Sequence, residues 1–250
     1  MIPNPILKVL SILEKHRVSF LLMGGQACVL YGAAEFSRDM DVALLASPEN
    51  LDRLRSAVEE LEGEVIAIPP FENEYLERGH SVHFWCRAVV DGIRLDVMTR
   101  MRGVADFPEL WTRRSIVALE EGTEVPLLSL PDLVAAKKTL GDKDWPMIRR
   151  LVEADYHQFF DQGPTLPQIR FWLQELRTPE LLIEVVGHYP DLARKAAEHR
   201  AALAPAQTGD EEAVQQALDE EMARERAADR AYWAPLRQEL EQLRWNRGGE

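Results

Sequence analysis

Asp39 and Asp41 stand two residues apart within the stretch LLMGGQACVLYGAAEFSRDMDVALL at residues 21–45. If this end of the stretch is a strand, side chains two apart share a face. Both carboxylates then aim at one point while Met40 and Val42 turn to the core. Two anions so close repel each other, and a divalent cation relieves the repulsion. Oxygen-only ligands suit Mg²⁺ or Mn²⁺, which in turn hold phosphate oxygens. Upstream, an apolar run ends in Gly24-Gly25, just before a helical segment. Glycines there let backbone N–H groups approach a phosphate with no Cβ in the way. The unit reads as a site for a metal-bound nucleoside triphosphate.

The elements that must carry these residues follow from periodicity and turn chemistry. A helix is expected near 3–16, a strand at 19–23, a helix at 25–33 and the D-x-D strand at 40–46. Pro48 opens a helix to about residue 61, with Ser47 as its N-cap. A short strand near 64–68 precedes a polar loop, PPFENEYLERG, and a hairpin at 80–98 turns at Asp91-Gly92. Strands are expected near 115–119 and 125–128. Beyond Ser129 the strand signal ends. Helices are expected at about 129–140, 144–157, 166–176, 179–187, 190–202, 210–227 and 229–245. The layout is α+β, a small mixed sheet with flanking helices followed by an all-helical C-terminal region. The turn-rich DQGPTLPQ suggests domains at 1–158 and 159–250.

Strand, Gly-Gly, then D-x-D on a second strand resembles the nucleotidyltransferase (polymerase-β-like) superfamily. More narrowly the first domain is similar to its small bacterial branch of AbiEii-type toxins and antibiotic nucleotidyltransferases. That resemblance implies a third carboxylate on a later strand. Asp96 is the only acid on the second strand of the hairpin, in phase with Arg94 and Met98 and opposite Leu95 and Val97. Alternation alone leaves it either facing solvent or aimed at the metal. The resemblance makes it a metal ligand beside Asp39 and Asp41, or the general base that takes a proton from an acceptor hydroxyl. It also implies a Lys in the helix that starts at Ser129 and an Asp after the break at Gly141. Lys137 and Asp144 match, the Lys neutralising triphosphate charge and the Asp orienting the Lys or the acceptor. On spacing alone the same block is an amphipathic helical hairpin with solvated charges and a capping Asp. Gly24, Gly25, Ser37, Arg38 and Lys138 are the expected substrate contacts, although Ser37 equally serves to polarise its turn. Many relatives carry an Arg four positions before the first Asp, and some carry one before the second acidic run. This chain has Glu35 and Gly141 there, and places Arg38 directly before Asp39.

The implied reaction moves an NMP from an NTP to an acceptor hydroxyl and releases pyrophosphate, with Mg²⁺ or Mn²⁺. The toxin-like relatives point to a tRNA 3′ end as acceptor and to an antitoxin protein as partner. The antibiotic-modifying ones point to a small hydroxylated molecule. The alternative is a nucleotidyltransferase scaffold that binds a nucleotide or a partner without turnover.

Charge narrows the partners. The 250 residues carry a formal net charge of −13. Basic and acidic side chains number 18 and 23 over residues 1–150, and 11 and 19 over 151–250. Neither half has the basic footprint of a duplex-DNA binder, and no helix-turn-helix with a basic recognition helix is present. A local basic cluster between Arg100 and Arg150 leaves room for an RNA end. No apolar run reaches the ~20 residues of a bilayer span. The first residues lack a signal peptide's basic and small-residue pattern, and a cytoplasmic location is expected. Cys28 and Cys86, both in apolar surroundings, are expected as buried thiols. His80 and His83 are three apart, on opposite strand faces, which argues against a shared metal.

Overall fold

Short β-branched and aromatic runs on either side of the D-x-D segment supply one sheet. The computed structural model describes residues 4–119 and 124–248. Among them, strands β1 (Phe20–Met23), β2 (Met40–Leu44), β3 (Gly63–Val65), β4 (Val82–Cys86), β5 (Ile93–Met98), β6 (Ser115–Ala118) and β7 (Glu124–Leu127) form a sheet. Its order is β3-β4-β5-β2-β1-β7-β6. β1 pairs antiparallel with β2 and parallel with β7, while β2 pairs parallel with β5. β4 is antiparallel to both β3 and β5. The sheet is therefore mixed and the fold α+β, as the sequence predicts.

The chain divides into two compact units. One takes the residues up to 30, 34–136 and those from 232 onward; the other takes 31–33 and 137–231. In the first, helices α1 (Asn4–Lys15), α2 (Gly24–Leu30) and α3 (Pro48–Glu60) pack with the sheet over a core that includes Leu13, Leu22, Leu51 and Leu54. Ser47 caps α3 by accepting from the Asn50 N–H, with Pro48 in the first turn. Asn50 is buried, and its polar atoms are spent on the strand ends. It accepts from the Ser19 N–H at 2.6 Å and donates to the carbonyls of Ser19 and Leu45 at 3.0 and 2.9 Å. A buried amide without those partners would be costly, so α3 is locked to β1 and β2 at one end.

Two short helices are additions to the expected elements. α4 (Asn73–Arg78) lies in the supposed polar loop and ends at Gly79, whose φ of +100° suits its left-handed cap. α5 (Phe107–Thr112) follows β5. Each spans under two turns, too short for a 3.6-residue period to register. The helix expected at 129–140 is α6 (Leu130–Ala136), so Lys137 and Lys138 lie in the turn after it. Its start is as expected, with the Asp132 N–H donating to Ser129 Oγ.

The second unit is helical: α7 (Asp144–Phe159), α8 (Leu166–Glu175), α9 (Pro179–His188), α10 (Pro190–Ala196), α11 (Leu203–Ala206) and the first part of α12 (Glu211–Gly248). The unit division falls at Ala136 and Lys137, upstream of the expected 158/159 boundary. Across the turn at Gly163-Pro164, α7 and α8 share a core. Tyr156 and Trp172 meet edge-to-face at 5.3 Å, and the Trp172 indole donates to Asp155 Oδ2 at 2.7 Å. The helix expected at 190–202 stops at Ala196 as α10, the short α11 falls in the break expected after residue 202, and the pair at 210–227 and 229–245 is the one helix α12. α12 runs on through Pro235, where strong helix formers on both sides outweigh one missing backbone donor. Among the described residues, no helix is long and apolar enough to cross a membrane.

Candidate functional site

Strand alternation and register place the predicted acids on a small grid. On β5, Leu95 and Val97 are fully buried, which turns Arg94 and Asp96 to the other face. On β4, Val82, Phe84 and Cys86 face the core, so His83 and Trp85 share the face of Arg94 and Asp96. On β2, Met40 and Val42 are buried and Asp41 points the same way as Asp96. Asp96 pairs with His83 on one side and Asp41 on the other, and Asp41 pairs with Met23. One rung of the sheet thus reads His83, Asp96, Asp41, Met23. The neighbouring rung holds Trp85 opposite Arg94, and the same register carried one step past the end of β2 brings exposed Asp39 level with Arg94. Adjacent strands lie about 4.8 Å apart, so the three carboxylates occupy one patch.

Asp96 is the buried member, with 8% of its surface exposed. Its Oδ1 accepts from His83 Nδ1 at 2.8 Å and from Arg94 Nε at 2.7 Å. Burial alone would raise its pKa, but these two hydrogen bonds and the charges behind them hold the carboxyl below its ordinary range. The Arg94 guanidinium is correspondingly raised, chiefly by its bond to Asp96, with further attraction from Asp39 and Asp41. One guanidinium therefore sits in the field of all three acids.

The Gly-Gly turn has a use that its sequence does not announce. Gly24 has φ +63°, and a Cβ there would fall 1.8 Å from Asp41 Oδ2. A Cβ on Gly25 would fall 2.3 Å from Ser37 Oγ. The Gly25 N–H points at Asp41 Oδ2, 3.4 Å away, and Ser37 Oγ donates to the Asp39 carbonyl at 3.2 Å. The space a side chain would take is filled by the site's own Asp41 and Ser37, which the turn holds in place.

Among the described residues, no three His, Cys, Asp or Glu side chains stand close enough together to hold a metal ion. Asp41 and Asp96 share a rung, and Asp39 lies a rung away. In kind the donors, being carboxylates, fit Mg²⁺ or Mn²⁺. In place, the Arg94 guanidinium is bonded to Asp96, one of the carboxylates a cation would need. Beside it opens a cleft of about 500 Å³, lined by Phe36, Ser37, Arg38, Asp39, Trp85 and Arg94 among others. Trp85 packs close against Gly92, which leaves it room: a Cβ at Gly92 would meet the indole at 2.6 Å.

Lys137, Lys138 and Asp144 belong to the second unit. Lys137 Nζ lies 3.3 Å from Asp144 Oδ1, and Thr139 Oγ1 donates to Asp144 Oδ2 at 2.5 Å. Lys138 instead pairs with Glu175 at 2.8 Å. Gly141 is forced by the same cluster, since a Cβ would come 2.6 Å from Asp144 Oδ2. The residues that sequence reasoning passed over are His83 and Arg94. Their signal was parity, because both share the face of Asp96, but pairing His83 with Asp96 needed the length of the hairpin loop.

No protein-family model matches the chain, and no curated protein does. Two solved structures share its outline weakly. A proposed nucleotidyltransferase from H. pylori is 14% identical, with 89% of this chain and 98% of that one covered and a TM-score of 0.42. JHP933 from Helicobacter pylori is 14% identical, with 90% and 97% covered and a TM-score of 0.41. Similarity at that level gives no residue of this chain a role.

Proposed function

We propose that the chain is a metal-dependent nucleotidyltransferase that transfers an NMP from an NTP to an acceptor hydroxyl and releases pyrophosphate. The observation that carries the reading is the rung on which Asp41 and Asp96 stand side by side, with Asp39 next to it and glycine beneath Asp41. Asp39, Asp41 and Asp96 would hold Mg²⁺ or Mn²⁺. When bound, such a cation supplies positive charge to the triphosphate and to the attacking and leaving oxygens.

This chain's own residues do the rest. His83 keeps Asp96 oriented through the bond to Oδ1. With its charge so compensated, Asp96 serves better as an anionic ligand than as a proton acceptor, because an efficient base titrates near the working pH. The cleft beside Asp39 offers Trp85 and Phe36 as apolar walls and Arg38 as a cation for the substrate. Lys137, its ammonium fixed by Asp144, keeps the charge-neutralising role that the family resemblance implies. The acceptor is a tRNA 3′ end or a small hydroxylated molecule, and in the first case the protein would act as the toxin of a toxin–antitoxin pair.

A second reading has support of its own. The bond from Arg94 to Asp96, and the lack of a ready three-ligand set among the described residues, favour a scaffold that binds a nucleotide or partner without turnover. Incubation with each α-³²P-labelled NTP, Mg²⁺ and total tRNA decides between them, beside a chain carrying Asp39→Ala and Asp41→Ala. Label on RNA that disappears in the double variant supports transfer to tRNA. NTP binding with no label and no pyrophosphate supports the scaffold, and pyrophosphate release with a hydroxylated small molecule supports the other acceptor class.

A further inference from the structure

The rung that brings Asp41 beside Asp96 also brings a cation to them from the chain itself. Arg94 lies two residues before Asp96 on β5 and on the same face, and its Nε reaches Asp96 Oδ1 at 2.7 Å. We propose that Arg94 is the resident cation of the carboxylate row, and that a divalent metal binds only by displacing it from Asp96. This rests on the metal-dependent reading above and adds a competitor to it.

Charge and room both support displacement. Arg94 contributes one positive charge to a patch of three acids, and a metal would add two more within the same few ångströms. Like charges at that separation repel strongly where solvent is partly excluded, so the two cations compete for the patch. Asp96 has 11% of its side chain exposed, whereas Arg94 has 39%. The acid is fixed and the base has somewhere to go. Its neighbour across the β4–β5 pair is Trp85, which is 38% exposed and packs against Gly92. A guanidinium withdrawn from Asp96 has that indole as its cross-strand neighbour, a favourable resting place for Arg. His83 stays behind, still donating to Asp96 Oδ1, so the carboxylate keeps its orientation after Arg94 leaves. The metal-free protein is then stable without an ion, and occupancy begins only at a metal concentration high enough to overcome the internal pair.

The test is Mn²⁺ titration of the full chain, followed by electron paramagnetic resonance of free Mn²⁺ and by thermal melting. Wild type is compared with Arg94→Gln, Arg94→Lys and Asp41→Asn. Arg94→Gln should bind Mn²⁺ more tightly than wild type by about fivefold or more. Without metal it should melt lower, and Mn²⁺ should raise its melting temperature by more than it raises that of wild type. Arg94→Lys keeps the charge without the forked geometry and should fall between the two, which preserves the test if the Gln variant does not fold. Wild-type binding that Asp41→Asn abolishes, with no gain in folded Arg94→Gln or Arg94→Lys, overturns the inference and leaves the metal site standing. No Mn²⁺ binding at millimolar concentration in any of the chains overturns both.

Discussion

Charged side chains are handled in opposite ways in the two units. In the buried cluster of the helical unit, acid and bases are joined in fixed pairs. Glu221 takes Arg177 on one oxygen at 2.7 Å and Arg200 on the other at 3.0 Å. Arg200 also donates to the carbonyls of Leu173 and Leu176. Burial holds the Arg177 guanidinium below its ordinary pKa, so this cluster carries an appreciable desolvation cost. On the sheet, three acids lie in the field of Arg94, and one of them, Asp39, lines a cleft. Both arrangements neutralise charge. Only the second sets a carboxylate, Asp39, in a cleft where a soluble cation and its anionic cargo can reach it, and this separates a candidate site from a brace.

The contrast can be broken by substitution. Asp39→Asn with Asp41→Asn should remove several kcal/mol of transition-state stabilisation, about three orders of magnitude in NMP transfer. Melting temperature should hold or rise, since like charges are relieved. A large fall in stability would mean that the row is a brace after all. Glu221→Ala should do the reverse, costing about 3–5 kcal/mol in urea denaturation because two buried guanidinium groups lose their acid, while Mn²⁺ affinity is unchanged in the folded fraction. Gly24→Ala sits between. Strain at φ +63° costs about 1–3 kcal/mol, and the added methyl must push Asp41 aside, so weaker Mn²⁺ binding should accompany the loss of stability.

The smallest effect concerns Asp155. Burial raises its pKa, against the lowering effect of the Trp172 hydrogen bond. An acid raised in the folded state favours folding when protonated. Its cost is absent below the unfolded carboxyl value of about 4 and grows as pH rises through the higher folded value. Asp155→Asn keeps an oxygen for the Trp172 indole, so it should stabilise the protein slightly at pH 7 and not at all at pH 3 in paired thermal melts. A gain that persists at pH 3 would trace to packing instead of charge.

Much of the sheet was legible because its signals are local. The period-2 alternation of β5, the turn residues Asp91 and Gly92, and Ser47 ahead of Pro48 each act over a few positions. The turn at 89–92 closes through the Gly92 N–H to the Val89 carbonyl, with Asp91 and Gly92 both at positive φ. What stayed hidden depends on register. His83 meets Asp96 because the loop from 87 to 92 fixes which residues of β4 and β5 face each other, and composition does not give loop geometry. The same holds for Lys138, which ends on Glu175, 37 positions away, and not beside Asp144. Gly24 was legible as a glycine that something needed close, but the partner turned out to be the chain's own carboxylate.

The pairing of β2 with β5 also bears on how the chain folds. Asp41 and Asp96 are brought face to face from 55 positions apart, a long loop to close before any contact rewards it. The seam that joins the hairpin to β1 and β2 therefore zips up against its own electrostatic repulsion, because like charges directly opposite oppose pairing. Arg94 enters with the incoming strand and relieves that repulsion as the strand docks. Refolding of Arg94→Gln should then be slower at low ionic strength than that of wild type and recover its rate in added salt, making one side chain both the obstacle to metal entry and an aid to closing the sheet.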